Sequence, residues 1–434
     1  MEPKEKTIFG WCIYDWANSA FATTILAAVL PIYFVSIVPE GGVDINILGF
    51  KFHTFATPLW SYSVTIATAL VAVSSPILGA IADYSQTKRK FLIFYCYLGA
   101  LFTALLVTVG YGNYLRASIF FIMANIGFAG GNVFYNSFLP EIAAEGEREY
   151  VSGKGFAYGY LGGGLLLALN LLMIQKHDWF GIPDMAWGSR LSFLAVGIWW
   201  GIFAIPTFLY VKDKKNRVVE NVRYVRRGFK TLTGTFRKIK NFRELLKFLI
   251  SFLIYNDGIQ TVIVMAAIFG REELGFDTLT LIGCLLMVQI IGVPSSLFMG
   301  KFAQWVGEKR TIYICLIVYC VVVIYGYFMT KPLEFWILGF LVGLVQGGSQ
   351  AISRSLYSSL FPVRHSAEFF GFFAIANKFT SIFGPLIFGL VANITGSIRN
   401  SILGLIVFFL VGLMILITVD VDRGKEAART VVIE

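Results

Sequence analysis

Two short polar trios stand inside apolar segments, and their residue types can bind a charged solute or carry a proton. They are Asp15, Asn18 and Ser19 in IYDWANSAF, and Asp257, Gln260 and Thr261 in YNDGIQT. Both have the spacing i, i+3, i+4, which places the side chains on one face of a helix. A carboxylate at the centre of a membrane costs roughly 2.5–3.5 kcal/mol on insertion scales, so it is usually functional. Asp15 and Asp257 are therefore candidate partners for an ammonium group and candidate proton-coupling sites.

Two basic residues, Arg354 and Lys378, also fall inside apolar segments. A guanidinium presents a planar fork of donors that suits a carboxylate. Either side chain could instead extend to the membrane–water interface. Arg354 could also take part in a gate between the two helix bundles. Asp15 could equally cap a helix or pair with a cytoplasmic lysine or arginine. Asp257 could instead form hydrogen bonds to backbone groups that a helix kink beside Gly258 leaves unpaired.

Amide and hydroxyl side chains form polar stripes in two further segments. One stripe is Asn125, Asn132 and Asn136, and the other is Gln346, Ser349, Gln350, Ser353 and Arg354. Their spacing, i, i+7, i+11 and i, i+3, i+4, i+7, i+8, predicts one polar face on each helix. The candidate substrate-binding residues are the two trios together with Asn132, Asn136, Gln350, Ser353, Arg354 and Lys378.

The elements that carry these residues are predicted to be membrane-spanning helices. Hydrophobic residues make up 57% of the 434 residues and charged residues 14%, against roughly 25% charged in soluble domains. Twelve nearly uncharged segments of about 20 residues or more are long enough to cross a bilayer. They run roughly 9–37, 57–83, 91–111, 117–140, 153–175, 189–211, 245–269, 278–303, 310–330, 333–361, 367–395 and 399–420. The fold class predicted is all-α.

Most of the 36 lysines and arginines fall in the tails and loops on one side of these segments. This positive-inside pattern predicts that both termini are cytoplasmic. The N-terminal sequence MEPKEKTIFG does not have the pattern of a cleavable signal peptide, so none is expected. A multi-pass protein of a bacterial cytoplasmic membrane is expected, with a monomer as the working assumption.

A basic stretch at 212–244 separates six segments from six. It carries 12 basic and 3 acidic residues, and at a membrane face it is expected to attract anionic lipid headgroups rather than nucleic acid. The predicted organisation is an N-terminal bundle at 1–211, this linker, and a C-terminal bundle at 245–434. The two halves contain similar loops: GAIADYSQTKRK follows the second segment and GKFAQWVGEKRT follows the eighth. Each has a glycine at the end of a segment and a basic cluster after it. Duplicated halves predict a transporter with its site where the repeats meet.

At this point the chain resembles the major facilitator superfamily. GAIADYSQTKRK is similar to the signature G-x-x-x-D-x-x-x-[RK]-[RK]-x-[RK], with Gly79, Asp83, Lys88 and Arg89 close to its main positions. The resemblance implies that these residues form a conformational latch, whereas the simpler reading is an ordinary positive-inside loop. The second copy has Gln304 where the acid should be.

More narrowly, YDWANSAFATTI, YNDGIQT and GGSQAISRSL resemble the UMF branch, which includes fungal vacuolar amino-acid effluxers linked to autophagy. The resemblance implies two pseudo-symmetric six-helix bundles that rock about a cavity lined by helices one, four, seven and ten.

The resulting hypothesis is a secondary active transporter that moves a small polar or zwitterionic solute, foremost an amino acid, with a proton as the first candidate for coupling. The alternatives are an exporter of amphipathic compounds and, in another class, a non-transporting receptor or scaffold. The three histidines and five cysteines have no metal or nucleophile spacing, and no phosphate-binding loop occurs. An enzyme, a cofactor and a metal are therefore not expected.

Overall fold

The computed structural model describes residues 2–47, 50–213, 242–379 and 383–430. The part of the basic linker at 214–241 lies outside the described residues, so its predicted lipid contacts stay a prediction. Spans one to six are called here the first half and spans seven to twelve the second half. Their division into separate domains also remains a prediction.

The first span is interrupted by a bend. Helix Pro3–Ala20 continues as the π-helical segment Phe21–Ala28, and the axis turns by 46° into Leu30–Ile37. Pro31 stands in the first turn after the bend, where its missing N–H removes a helical hydrogen bond. An antiparallel hairpin of Val43–Ile47 and Phe50–Thr54 follows.

The other spans of the first half are nearly continuous helices. They are Ala56–Ser85, Lys88–Leu105, Tyr114–Ser137 with the short extension Leu139–Ile142, Arg148–Gln175, and Met185–Phe203 with Ile205–Tyr210. Those of the second half are Arg243–Glu272, Thr278–Val306, Glu308–Phe328, Pro332–Ser359, Ser366–Phe379 with Phe383–Thr395, and Ile398–Gly404 with Ile406–Ile417. A last helix, Val421–Thr430, follows the twelfth span.

Ten of these helices are long and apolar enough to cross a membrane, and the bent first span makes an eleventh. The predicted segment 367–395 corresponds to the two helices on either side of residues 380–382, which are not described. Lys4 pairs with Glu147 and Arg429 with Glu145, so both ends of the chain lie against one loop. A chain whose two ends lie on the same side of a membrane must cross it an even number of times. The twelve crossings expected from the sequence fit this requirement.

Each half has a hydrophobic core of its own. One core is built from residues between Trp11 and Val211 together with Ala367, and the other from residues between Phe242 and Val419 together with Val133. A small third cluster joins Ala80 of the first half to Phe372 of the second. Large apolar side chains such as Ile32, Val73, Ile290 and Leu386 are exposed on the outer faces of the helices. Such faces suit lipid, in which an apolar side chain needs no cover.

Tight turns bring charged residues of neighbouring spans together. Gln86 has a φ of +53° and ends the second span, and Gly307 has a φ of +96° between spans eight and nine. The third span begins at Lys88, directly after the first of these turns, and the ninth begins at Glu308, directly after the second. Because the turn after Ser85 is so short, Asp83 and Lys88 meet across it.

Candidate functional site

A cavity of about 690 Å³ lies between the two halves. This is within the range of ordinary small-molecule sites, which is roughly 300–1,000 Å³. Its polar lining residues are Asp15, Asn18, Ser19, Thr23, Asn132, Asn136, Tyr160, Asn256, Gln260, Gln289, Gln346, Gln350, Arg354 and Asn377. The remaining lining is mainly aliphatic and aromatic. Most of the polar lining residues belong to spans one, four, seven and ten, as the resemblance implies.

An ion pair between the two halves lies at one end of the cavity. Arg354 Nη1 of the tenth span lies 3.4 Å from Asp15 Oδ2 of the first span. Tyr135 of the fourth span donates its hydroxyl to the same carboxylate oxygen at 2.6 Å. The two charged side chains are only 5% and 13% exposed. The pair therefore closes the end of the cavity that the charge pattern predicts to be cytoplasmic.

Arg354 makes its other hydrogen bonds to the first half as well. Nε donates to Ser152 Oγ at 2.9 Å, Nη2 to the Ser152 carbonyl at 2.9 Å, and Nη1 to Asn136 Oδ1 at 3.1 Å. A guanidinium with several acceptors is stabilised in a buried place where a lone charge would not be. The structure thus places Arg354 at the contact between the two halves, where it is hydrogen-bonded to Ser152 and Asn136 and paired with Asp15.

Three aromatic rings surround the same guanidinium. The centroids of Trp11, Phe156 and Tyr135 lie 4.8, 4.5 and 5.6 Å from the guanidinium carbon, within the distance for cation–π attraction. Trp11 stacks on Tyr135 with centroids 4.5 Å apart and donates its indole N–H to the Tyr135 carbonyl. The polar-stripe analysis missed these rings. Trp11 stands one helical turn before Asp15, which is the signal that could have found it.

The walls of the cavity carry carboxamides from both halves. Asn18 donates to Asn132 Oδ1 at 2.7 Å, and Asn256 donates to Asn377 Oδ1 at 3.3 Å. The set of candidate binding residues did not include Asn256, Gln289, Gln346 and Asn377, although Gln346 belongs to the stripe of the tenth span. Carboxamides both donate and accept hydrogen bonds, so such walls can hold a polar solute without further charge.

Three candidate residues lie away from the cavity wall. Asp257 is 1% exposed, and its Oδ1 accepts from the Gly384 N–H at 2.9 Å, at the start of helix Phe383–Thr395. Thr261 donates to the Asp257 carbonyl at 2.7 Å. Ser353 is hydrogen-bonded to Tyr255 at 2.6 Å. The expectation that these residues face the cavity is therefore corrected.

The helical period explains the placement of Asp257. Asn256 and Gln260, one turn apart, face the cavity, whereas Asp257 is turned about 100° from Asn256 around the axis. That direction points to the eleventh span. Asp257 Oδ2 is buried and has no hydrogen-bond partner within the described ranges. Lys378 lies in helix Ser366–Phe379, but its side chain is outside the described residues.

The signature loop contacts the other half, as a latch would. Lys88 Nζ lies 2.8 Å from Asp83 and 2.5 Å from Glu141, and it donates to Ser366 Oγ at 2.6 Å. Asp83 accepts from the backbone N–H groups of Ala367 and Glu368 at 3.1 and 2.8 Å.

Two further signature residues have different roles. Gly79 allows close approach of the second span, because a Cβ there would clash with the Ala367 carbonyl. Arg89 contributes its backbone N–H, which donates to Asp213 at 3.1 Å, and forms no ion pair within the described part of the chain. Burial raises the pKa of the Asp213 carboxyl above its usual value.

The equivalent region of the second half uses the last helix. Gln304 Nε2 donates to the Gly146 carbonyl across the two halves at 2.6 Å. Glu308 accepts from Ser355 Oγ at 3.0 Å and pairs with Lys425 of helix Val421–Thr430 at 3.2 Å. Arg429 of the same helix pairs with Glu145 of the first half at 2.5 Å, which lowers the pKa of Glu145. The last helix therefore bridges the halves.

No group of three or more histidine, cysteine, aspartate or glutamate side chains could hold a metal ion within residues 2–47, 50–213, 242–379 and 383–430. The five cysteines are free thiols, and four of them are buried.

The sequence matches a known family along nearly its whole length. The family described as vacuole effluxer Atg22 like matches residues 3–429. YxiO of Bacillus subtilis, described as an uncharacterized MFS-type transporter, is 35% identical over 420 residues, which cover 96% of each chain. Autophagy-related protein 22 of Coccidioides immitis is 24% identical over 540 residues, which cover 98% of this chain and 88% of the relative.

Solved structures share the fold at low identity. A bacterial homologue of the iron transporter ferroportin, in an outward-facing state, has a TM-score of 0.68 at 11% identity and covers 96% of this chain and 99% of its own. The major facilitator transporter FucP, in the outward conformation, has a TM-score of 0.68 at 12% identity, with 97% and 99% covered. The major facilitator fold expected from the sequence is confirmed.

Proposed function

The chain belongs to the Atg22-like family of major facilitator transporters, and on that premise we propose that it moves a small zwitterion, foremost an amino acid, by alternating access. It is an integral multi-pass membrane transporter and not an enzyme. The substrate, the coupling ion and the orientation of the termini belong to the proposal.

The observation that carries the proposal is the Asp15–Arg354 pair at one end of the cavity. An ammonium group can take the place of Arg354 beside Asp15, while a carboxylate takes the place of Asp15 beside Arg354. Each buried charge then keeps a partner of opposite sign, so the exchange avoids the cost of an unpaired charge in an apolar setting. A solute with a single charge would leave one of the two side chains unpaired.

The rest of the cavity suits such a solute. Its volume of about 690 Å³ holds a molecule of amino-acid size with water. The carboxamides of Asn136, Gln350 and Asn377 can bind the polar end, and apolar residues such as Ile263 and Val342 can cover a side chain. The presence of both carboxamide and apolar lining residues favours an amino acid with an apolar side chain over a sugar.

Alternating access is supported by where the halves meet. The Arg354 gate, the Lys88–Asp83 pair on helix Ser366–Phe379 and the Gln304–Gly146 bond all lie at the predicted cytoplasmic end. Breaking these contacts would open that end of the cavity while each half keeps its own core. We assign the signature residues Gly79, Asp83, Lys88 and Arg89 to this latch.

Proton coupling is proposed at Asp15 or Asp257. Asp15 faces the gate, so its protonation would weaken the attraction to Arg354. Asp257 has a buried oxygen without a hydrogen-bond partner in the described ranges. A proton there would remove the cost of a buried charge.

The first test is thermal stabilisation of the purified protein in detergent by a panel of amino acids and small metabolites. A ligand that binds the folded state raises the melting temperature with its concentration. One class of amino acids should do so, and the shift should vanish in Asp15→Asn and Arg354→Ala. Glu273→Gln is a matched control, because its carboxylate pairs with Arg399 outside the cavity.

An exporter of amphipathic compounds is the second candidate, because aromatic and aliphatic side chains form much of the lining. Phe128, Phe252 and Phe373 are among them. Shifts by lipophilic cations in the same panel, with none by amino acids, would replace the first proposal by this one.

A further inference from the structure

The part of the first half that surrounds the Arg354 guanidinium is built to hold a cation. It presents four acceptor atoms and three aromatic faces to that group. We call the following six residues the cation cage: Trp11, Asp15, Tyr135, Asn136, Ser152 and Phe156. None of the six carries a positive charge. Asp15, Asn136 and Ser152 accept hydrogen bonds from the guanidinium. The rings of Trp11, Tyr135 and Phe156 offer their negative faces.

The cation that fills the cage does not belong to the same half. Arg354 is part of the tenth span, whereas all six cage residues are in the first, fourth and fifth spans. Lys154 acts electrostatically on Cys12 nearby, but within the described residues the ion pair of Asp15 is with Arg354. A movement that separates the halves at this end therefore withdraws the cation and leaves the cage behind.

An empty cage would be costly. Removing one partner of a buried ion pair leaves an uncompensated charge, which is strongly destabilising. Water entering the opened end would lower that cost but cannot replace the attraction of three rings for a cation. Something positively charged and partly apolar is the best replacement.

We propose that the cation cage is a binding subsite for an organic cation, an alkylammonium or guanidinium group, and that Arg354 is its tethered occupant while this end is closed. The proposal rests on the proposed function for the separation of the halves, and it deepens that function by naming the subsite for the substrate's ammonium group. Ammonium binding in the cage and Arg354 binding in the cage exclude each other. Arrival of the substrate thereby favours opening, and its departure lets Arg354 return.

The exchange also explains why the cage is lined by acceptors on one side of the interface only. The substrate's carboxylate stays with Arg354 and the second half, while its ammonium group stays with Asp15 and the first half. A zwitterion thus bridges halves that the direct pair no longer joins.

The test is chemical rescue of Arg354→Ala with ethylguanidinium chloride, measured as melting temperature in detergent against an equal concentration of sodium chloride. Ethylguanidinium has the head group of arginine and should fill the vacant cage. We expect a saturable rise of at least about 2 °C in Arg354→Ala. In the wild-type protein the cation must first displace Arg354, so half-saturation should need at least about tenfold more ethylguanidinium.

Two sets of variants assign the effect to the cage. Adding Asp15→Asn or Phe156→Leu to Arg354→Ala should weaken or abolish the rise. Arg399→Ala is the matched control, because Arg399 also has a carboxylate partner and two carbonyl partners but, among the described residues, a single ring at 5.9 Å. Its response should be no larger than that of the wild-type protein. If Arg354→Ala does not fold, Arg354→Gln serves in its place.

The proposal is overturned if the folded Arg354 variant shows no saturable rise, if the rise survives both cage substitutions, or if the wild-type protein responds equally. These readouts need no transport. Failure of rescue with amino-acid binding intact would reject the cage alone, whereas rescue without any amino-acid binding would reject the substrate instead.

Discussion

Under the proposed function, the ion pair between Asp15 and Arg354 acts as a switch rather than as a source of stability. Both side chains are nearly buried, and the desolvation of two charges offsets much of their attraction. Breaking the pair from one side is what carries a large cost. A pair of this kind therefore holds one conformation only as long as both partners keep their charge and no competitor replaces one of them.

The first prediction is a double-mutant cycle on this pair. Asp15→Asn and Arg354→Gln should each lower the melting temperature, because each leaves one buried charge without its partner. The double variant, which is neutral, should recover much of the loss but should not transport. Melting temperature and uptake in proteoliposomes measure the two effects. Additive losses of stability would mean that the two side chains act independently.

The second prediction concerns Asp257, which lies behind the wall of the cavity. Asp257→Asn keeps an acceptor for the Gly384 N–H but cannot take up a proton. Substrate exchange between two sides at equal pH should continue, whereas flux driven by an imposed pH gradient should be lost. Thr261→Val, which removes the hydroxyl next to Asp257, is the control expected to keep the response. Gradient-driven flux that persists in Asp257→Asn would exclude this residue as the coupling site.

The residue pattern predicted the first trio better than the second. Asp15, Asn18 and Ser19 all line the cavity. The same spacing in the seventh span sends Gln260 to the cavity and Asp257 to the eleventh span, because a face of about 100° is wider than the part of the helix that borders the cavity. Spacing fixes which side chains share a face, but the orientation of that face depends on packing against other spans.

At the scale of elements, the second and eleventh spans meet through a cap that crosses the halves. The Asp83 carboxylate accepts from two N–H groups at the start of helix Ser366–Phe379. A negative charge at a helix N-terminus is favoured by the helix dipole as well as by those bonds. The N-terminal cap of a helix in the second half is thus supplied by Asp83 of the first half. Separating the halves at this end must break that cap.

The third prediction is that Gly79→Val and Asp83→Ala shift the protein toward a state open at this end. The first change places a side chain against the Ala367 carbonyl, and the second removes the cap. Spin labels at Lys90→Cys and Arg310→Cys, exposed positions on opposite halves, should report a longer distance.

Gly389→Val is the control for the glycine substitution, because the space beside Gly389 is empty. Its label distance should equal that of the wild-type protein. An unchanged distance in both Gly79→Val and Asp83→Ala would show that this contact does not hold the end closed.

The fourth prediction distinguishes the two charged contacts of the last helix. Glu308 is buried and is close enough to Glu149 of the first half for the two carboxylates to repel each other. Lys425→Ala, which leaves Glu308 without its cation, should therefore open the same end measurably. The Arg429–Glu145 pair is largely exposed, and exposed pairs contribute little. Arg429→Ala should therefore change the label distance much less than Lys425→Ala. Equal effects would indicate that the helix acts through its position rather than through Lys425.

The sequence did not predict this role for the last helix or the bend in the first span. Residues 421–430 are rich in charge and follow the last apolar segment, and nothing in that pattern indicates contacts with both halves. The contact of Lys425 with Glu308 joins positions far apart in the chain. The bend requires the π-helical turn before Pro31, which hydropathy cannot reveal because the whole segment is apolar.

At the scale of the molecule, each half has a hydrophobic core of its own, and contacts such as Arg354 with Ser152 join the two halves. The number of crossings was predictable, because hydropathy and length are properties of each segment alone. The relative position of the halves was not, because it depends on contacts between residues that are distant in the sequence, such as Arg354 with Ser152. Those contacts also decide which end of the cavity is closed.

The fifth prediction is the orientation of the closed end, which decides the access state of this structure. Both ends of the chain lie against the loop of Glu145 and Glu147, and the positive-inside pattern places that side in the cytoplasm. An impermeant thiol reagent should label Tyr111→Cys in intact cells and Lys90→Cys only after permeabilisation, since both positions are exposed on opposite sides. With that result, Arg354 closes the cytoplasmic end of the cavity. The reverse labelling would place the closed end outside, so the substrate would meet the gate from the opposite compartment.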